Sequence, residues 1–161
     1  MLDSGSMERR IRDYFDSCNE ADFDKIRSHF VDDAVHYFPP GMYRGPFIGS
    51  SEIAERWVIA VQSIGSIWTV DQIITDPTSG RAVIEWSHFK TIQGTLLRGD
   101  EWYIFEQETG LIKEIRAYYA APQDAAIVVN ELGGYDYQGR GYPMEPPFDR
   151  EGTNWERREN E

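Results

Sequence analysis

The sequence is short of cysteine, of basic charge and of long apolar runs, and each shortage closes off a class of function. Cys18 is the single cysteine, so no internal disulfide can form, and a reducing, cytoplasmic compartment is expected. No stretch approaches the roughly 20 apolar residues needed to span a bilayer, and the N-terminus lacks the basic-then-apolar run of a secretory signal. Lys and Arg number 16 against 28 Asp and Glu, a net charge of −12. A field of that sign repels phosphate backbones and anionic lipid, so neither a nucleic-acid nor a membrane partner is expected. The chain also has no phosphate-binding glycine loop, no Gly-x-Ser-x-Gly elbow and no zinc-type Cys/His spacing.

What is abundant is aromatic. Rings make up 14% of the 161 residues, enough to fill one core or to line a pocket within one domain. Met7, Ile11, Tyr14, Phe15 and Cys18 recur at helical spacing, which predicts an amphipathic helix over about 7–19. Residues 1–6 read as a flexible lead-in. Phe23, Ile26 and Phe30 mark a second short helix, with Asp22 placed to cap its start. "AVHYFPPG" reads as a strand stopped by prolines, which cannot donate to a ladder. A turn-rich loop, "GMYRGPFIGSS", leads to a third helix capped by Ser50 or Ser51, with Ile53, Trp57, Val61 and Ile64 on its buried stripe. Arg56 is expected to be exposed.

Four strand-like segments follow, over 66–75, 81–93, 95–107 and 112–121, separated by "DPTSG", "QG" and "ETG". Helices first and antiparallel strands afterwards is an α+β pattern. "DAAIVVNEL" is expected to form a short helix. Residues 122–161 then read as a C-terminal extension rich in Gly, Pro, Tyr and charge. Its five rings, Tyr135, Tyr137, Tyr142, Phe148 and Trp155, favour docking on the domain or a neighbouring subunit over disorder.

The run "YFDSCNEADFDKIRSHFVDDAVHYFPPG", the later "GSSEIAERW" and the final "TGLIKEIRAYY" resemble the SnoaL-like and ketosteroid-isomerase-like proteins. These belong to the superfamily that also holds scytalone dehydratase and nuclear transport factor 2. The likeness covers residues 7–121. It implies a cone, in which a strongly curved antiparallel or mixed sheet wraps three N-terminal helices and encloses one apolar pocket. It also implies a homodimer or higher homo-oligomer, and chemistry without a cofactor or metal. Tyr14 falls where the steroid isomerases hold an oxyanion donor. Phe38 and Trp102 stand where those enzymes have acids, so the resemblance does not extend to a steroid-isomerase mechanism.

Strand alternation then assigns faces. His36 and Phe38 point inward together, as do Ile84, Trp86 and His88. On the third long strand Arg98, Asp100, Trp102 and Ile104 are placed inward, which leaves Tyr103 and Phe105 outside, with Glu101 as the alternative acid if the register is shifted by one. On the last strand Ile115, Ala117 and Tyr119 face in, and Glu114, Arg116 and Tyr118 face out. His88 has two readings: a core histidine with a hydrogen-bond partner, or a proton-transfer group in an aromatic cavity. Resemblance to scytalone dehydratase-type relatives, which do acid/base work with pocket histidines, favours the second. The expected catalytic set is His88 as base, Asp100 fixing its tautomer, Tyr14 as hydrogen-bond donor, and His36. His36, His88 and Asp100 would also be the only candidate metal set, a two-His-one-carboxylate arrangement. Phe38, Trp57, Trp86, Trp102, Tyr119 and Tyr43 are the expected substrate walls, with Met42, Tyr43 and Phe47 at the mouth. These parts suit a lyase or dehydratase acting on an apolar aromatic or polycyclic small molecule, including retro-aldol-type cleavage. A non-catalytic ligand-binding or dimerisation module, or a polyketide cyclase or isomerase, is the alternative.

Overall fold

The computed structural model describes residues 2–39, 41–119, 126–132 and 134–160. Helix α1 spans Ser4–Asn19 and α2 spans Phe23–Ser28. Strands β1 (Phe30–Tyr37) and β2 (Phe47–Ile48) precede helix α3 (Ser50–Ile64). Strands β3 (Ser66–Asp76), β4 (Arg81–Lys90), β5 (Thr95–Phe105) and β6 (Ile112–Tyr119) follow, and β7 is the short Val129–Asn130. The architecture is α+β, as expected.

The start of the chain departs from the reading as a flexible lead-in. Asp3 accepts a hydrogen bond from the Ser6 amide, and the Ser6 hydroxyl accepts one from the Asp3 amide. This reciprocal cap satisfies donors that a helix start otherwise leaves orphaned, so α1 begins at Ser4. Asp22 caps α2 as expected, through the Lys25 amide. Phe30 is not on that helix but opens β1. Helix α3 is not capped by a serine: Gly49 holds the N-cap position without a side-chain bond. At its other end Gly65 adopts a left-handed conformation (φ 65°), and a Cβ there would lie 2.2 Å from the Thr91 hydroxyl. Only glycine closes the helix in that space.

The sheet runs β2-β1-β6-β5-β4-β3. It is mixed, because β1 lies parallel to β6 while β3 to β6 form an antiparallel meander. A register irregularity between Val70 and Gln72 disturbs the β3–β4 ladder, a device that bends and twists a sheet. The main core lies between the helices and the concave face, with Met7, Ile11, Ile26, Ile53, Ile84 and Tyr103 almost wholly enclosed.

Two further readings need correction. On β5 the inward side chains are Leu97, Glu101, Tyr103 and Phe105, all buried, while Trp102 is 41% exposed. Arg98 and Asp100 therefore also lie on the outer face. Alternation failed here because the outer face is covered too: the chain after β6 packs across it, so Arg98 is as buried as Leu97 and burial no longer distinguishes the two sides. The second correction is β7. Val129 and Asn130 pair in parallel with Leu96 and Leu97, and are not helical; residues 120–125 lie outside the described residues. β6 reaches β5 only as far as Gly99, and β7 takes up the same edge of β5 beyond that point.

The C-terminal segment is held by specific contacts. Trp155 meets Phe89 edge-on at 5.2 Å over a small outer core of Ile67, Phe89, Leu96 and Val129. Arg98 donates to Glu131 (2.9 Å), to the Ser87 hydroxyl (2.8 Å) and to the Pro143 carbonyl (3.1 Å), and stacks beneath Tyr137. Arg150 donates to the carbonyls of Asn19 and Ser66, tying the segment to the α1 end and the start of β3. Among the described residues no helix is long and apolar enough to cross a membrane.

Candidate active site

The cone encloses a narrow cavity of about 90 Å³ between α1, α3 and the concave sheet. Of the residues expected at the site, Tyr14, His36, Phe38, Tyr43, Trp57, Trp86, His88 and Tyr119 line it. Asp100 and Trp102 do not. The candidate metal set is thereby dispersed, since Asp100 lies on the opposite face of the sheet from both histidines. Among the described residues no cluster of three or more His, Cys, Asp and Glu is arranged to hold a metal. Met42 and Tyr43, 39% and 37% exposed, stand where the cavity meets the loop after β1.

Glu101 takes the place expected for Asp100. Its Oε2 lies 3.8 Å from His36 Nε2, and the Tyr103 hydroxyl donates to its Oε1. Burial raises its pKa from 4.5 to about 7, against the lowering effect of the Tyr103 bond. His36 is only 2% exposed, and burial lowers its pKa from 6.5 to about 3. Both shifts have one cause: an enclosed apolar site penalises the charged form of each group. The tautomer follows from geometry. His36 Nδ1 sits 3.3 Å from the Tyr37 carbonyl, which can only accept, so Nδ1 carries the proton and Nε2 turns its lone pair toward Glu101. Glu101 and His36 thus form a neutral acid and base, slightly too far apart for a direct hydrogen bond.

Tyr14 is held by its neighbours. The Trp57 indole donates to its hydroxyl oxygen at 2.7 Å, which leaves the phenol proton to be given to another acceptor. Burial holds the phenol well above its ordinary pKa, which keeps it a donor. Phe38 stacks on His36 with centroids 4.1 Å apart and planes 6° off parallel. Trp57 packs edge-on against both His36 and Trp68.

His88 is oriented by Ser66, not by a carboxylate. Its Nε2 is 2.7 Å from the Ser66 hydroxyl, and its ring stacks on Trp68 at 4.7 Å. Burial, with the Lys90 charge second, lowers its pKa well below 6.5, so it is a neutral imidazole at physiological pH. His88 lines the cavity, and its Nδ1 has no hydrogen-bond partner among the described residues. Trp68 was not singled out from the sequence, although it pairs with His88 on the neighbouring strand. Asn19 fixes it, accepting from the Trp68 amide and donating to its carbonyl.

Gly99 explains how Trp86 and Tyr119 reach one another. It lies between them across the sheet, opposite Trp86 on β4 and Tyr119 on β6. A Cβ at Gly99 would come within 2.7 Å of the Trp86 ring and 2.8 Å of the Tyr119 Cβ. The missing side chain lets the two rings meet at 5.9 Å. The Trp86 indole nitrogen and the Tyr119 hydroxyl are both enclosed without a hydrogen-bond partner.

No protein-family model matches the sequence, and no curated protein matches it. Solved structures do. A protein of unknown function with a cystatin-like fold from Methylobium petroleophilum PM1 is 50% identical, over 92% of this chain and 98% of that one, with a TM-score of 0.75. The chain belongs to that protein's family, and its fold is shared by nuclear transport factor 2-like proteins. A nuclear transport factor 2-like protein of unknown function from Mesorhizobium loti is 17% identical, covering 73% of this chain and 93% of that one (TM-score 0.61). The epoxide hydrolase/cyclase-like enzyme SalBIII, of pyran-ring formation in salinomycin, is also 17% identical (74% and 95%, TM-score 0.61). These two likenesses establish the fold and no more. The 92% match cannot be reached without part of the C-terminal extension, so the close relative shares more than the cone.

Proposed function

We propose that the cavity is a cofactor-independent acid/base active site acting on an apolar aromatic or polycyclic small molecule, and that the reaction is an elimination catalysed by a lyase or dehydratase. The observation that carries this reading is Glu101, an enclosed carboxyl poised to gain or lose a proton near pH 7 beside a neutral imidazole. General acid/base groups work best when their pKa lies near the working pH. In its ionised form Glu101 takes a proton from carbon. The C–H electrons form the double bond, and the C–O bond breaks toward a leaving oxygen that accepts the Tyr14 hydrogen bond. Glu101, now protonated, returns its proton to the released hydroxide, giving water. Such a donor in a dry site contributes on the order of 3 kcal/mol. His88, a neutral imidazole lining the cavity, is the second base. Retro-aldol-type cleavage uses the same groups, with the base acting on a hydroxyl proton and Tyr14 on the carbonyl oxygen.

SalBIII supports the reading only as a neighbour of the same fold with a described enzyme activity. The alternative is a binding module of the same fold. Deuterium exchange into aromatic β-hydroxy ketones in heavy water separates them. Exchange α to the carbonyl is expected with the wild-type protein and is lost in Glu101→Gln. Compounds that bind without exchanging would favour the binding module.

A homodimer through the part of the outer sheet face that the C-terminal segment leaves open is part of the proposal. Tyr37, Arg116 and Trp102 form a row across β1, β6 and β5, and Tyr37, Trp102 and Tyr118 are 44%, 41% and 55% exposed. That is more ring surface than a monomer ordinarily leaves in water.

A further inference from the structure

Lys90 is the residue of the cavity that the acid/base reading leaves unused. It lies two positions beyond His88 on the same strand, so its side chain leaves the same face of β4. It is the single Lys or Arg among the described residues lining the cavity, and it is partly buried. Elsewhere three enclosed or partly enclosed cations have partners: Arg98 and Arg157 meet Glu131, and Arg150 meets two carbonyls. Lys90 has no ion pair or side-chain hydrogen bond among the described residues. Burial lowers its pKa, the mark of an ammonium partly stripped of water with nothing given in return.

The other titratable groups of the cavity do not neutralise it. Glu101 is largely protonated below pH 7, and His36 and His88 are neutral. A chain of net charge −12 therefore carries a cavity whose one fixed charge is positive. Such a charge in an apolar enclosure is stabilised by an anion that arrives with its own apolar body. The aromatic walls Trp57, Trp68 and Phe38 offer that body its surface.

We propose, building on the acid/base reading above, that the substrate is an apolar acid whose carboxylate docks on Lys90, with its ring system against the tryptophan walls. The charge pair sets the orientation of the ring and so decides which carbon faces Glu101 and His88. Lys90 is thus a specificity-determining residue, and neutral molecules of the same shape bind less tightly.

The test is calorimetric titration at pH 6.5 with two ligands of matched shape, 2-naphthoate and 2-naphthamide, against the wild-type protein, Lys90→Met and Lys90→Arg. Naphthoate is expected to bind the wild type at least ~10-fold more tightly than naphthamide. Lys90→Met abolishes that preference by weakening naphthoate alone, and Lys90→Arg retains a preference. Circular dichroism and thermal melts establish that each variant is folded. Equal affinity of the two ligands for the wild type, or a preference surviving in Lys90→Met, would overturn the role of Lys90 and leave the acid/base reading standing. Failure of both ligands to bind would overturn the cavity as the substrate site, and both readings with it.

Discussion

Glu101 Oε2 and His36 Nε2 face each other across 3.8 Å, both enclosed, one a carboxyl and the other an imidazole with its lone pair turned toward it. In water this pair would ionise as carboxylate and imidazolium. Here burial drives each toward its neutral form, so a proton is stored on the acid and an acceptor waits beside it.

That arrangement has a pH signature in stability. The Glu101 carboxyl is raised from 4.5 to about 7 in the folded protein. Its contribution is fully present below pH 4.5 and is lost as the pH rises through 7. His36 has the opposite sign: lowered from 6.5 to about 3, its contribution is present above pH 6.5 and lost as the pH falls through 3. Between pH 4.5 and 6.5 the two oppose each other. Glu101→Gln removes one of them, so its stability relative to wild type should improve by ~3 kcal/mol between pH 4.5 and 8. Urea denaturation at the two pH values measures it. An unchanged difference would place Glu101 in a solvated site.

His88→Ala should lower turnover ~100-fold or more while the fold persists. Ser66→Ala, which removes only the hydroxyl that orients the ring, should lower it less. Near-wild-type turnover in His88→Ala would remove His88 from the mechanism.

Tyr14→Phe should cost more than a lost donor to substrate. It leaves the Trp57 indole N–H enclosed and unpaired, a penalty of ~1–3 kcal/mol. Thermal denaturation of Tyr14→Phe, Trp57→Phe and the double variant tests this. The double variant should be less destabilised than the sum of the two, and strict additivity would rule out coupling.

Gly99→Ala should destabilise by ~1–3 kcal/mol, because the added carbon meets backbone as well as rings: the Tyr118 carbonyl is 2.6 Å away. A neutral effect on the melting temperature would mean that β6 shifts freely at Tyr119.

Trp102→Asp should convert the proposed dimer to a monomer in sedimentation equilibrium, with the cone intact. A wild-type protein that sediments as a monomer would contradict the dimer directly.

The fold was legible because its signals are local. The helical stripe of α1, the alternation of β4 and the glycine turns between strands each depend on a few neighbouring residues. The inward faces of β1, β4 and β6 followed, and with them His36, Phe38, Trp86, His88 and Tyr119. Glu101 was displaced by Asp100 because β5 offers two plausible faces, each with an acid and a ring. The deciding facts were Tyr103 and Phe105 on one side and the C-terminal cover on the other, and the cover is a tertiary contact. The start of α1 was missed for a smaller reason: the Asp3–Ser6 cap is a four-residue signal ahead of the apolar pattern.

The most direct measurement is the protonation of Glu101 itself, followed by carbon-13 NMR of its labelled side-chain carboxyl across pH 3–9. A midpoint about 7, moving when an aromatic ligand fills the cavity, is the expected result. A midpoint at the ordinary glutamate value of 4.5, indifferent to ligand, would contradict an enclosed proton-transfer site.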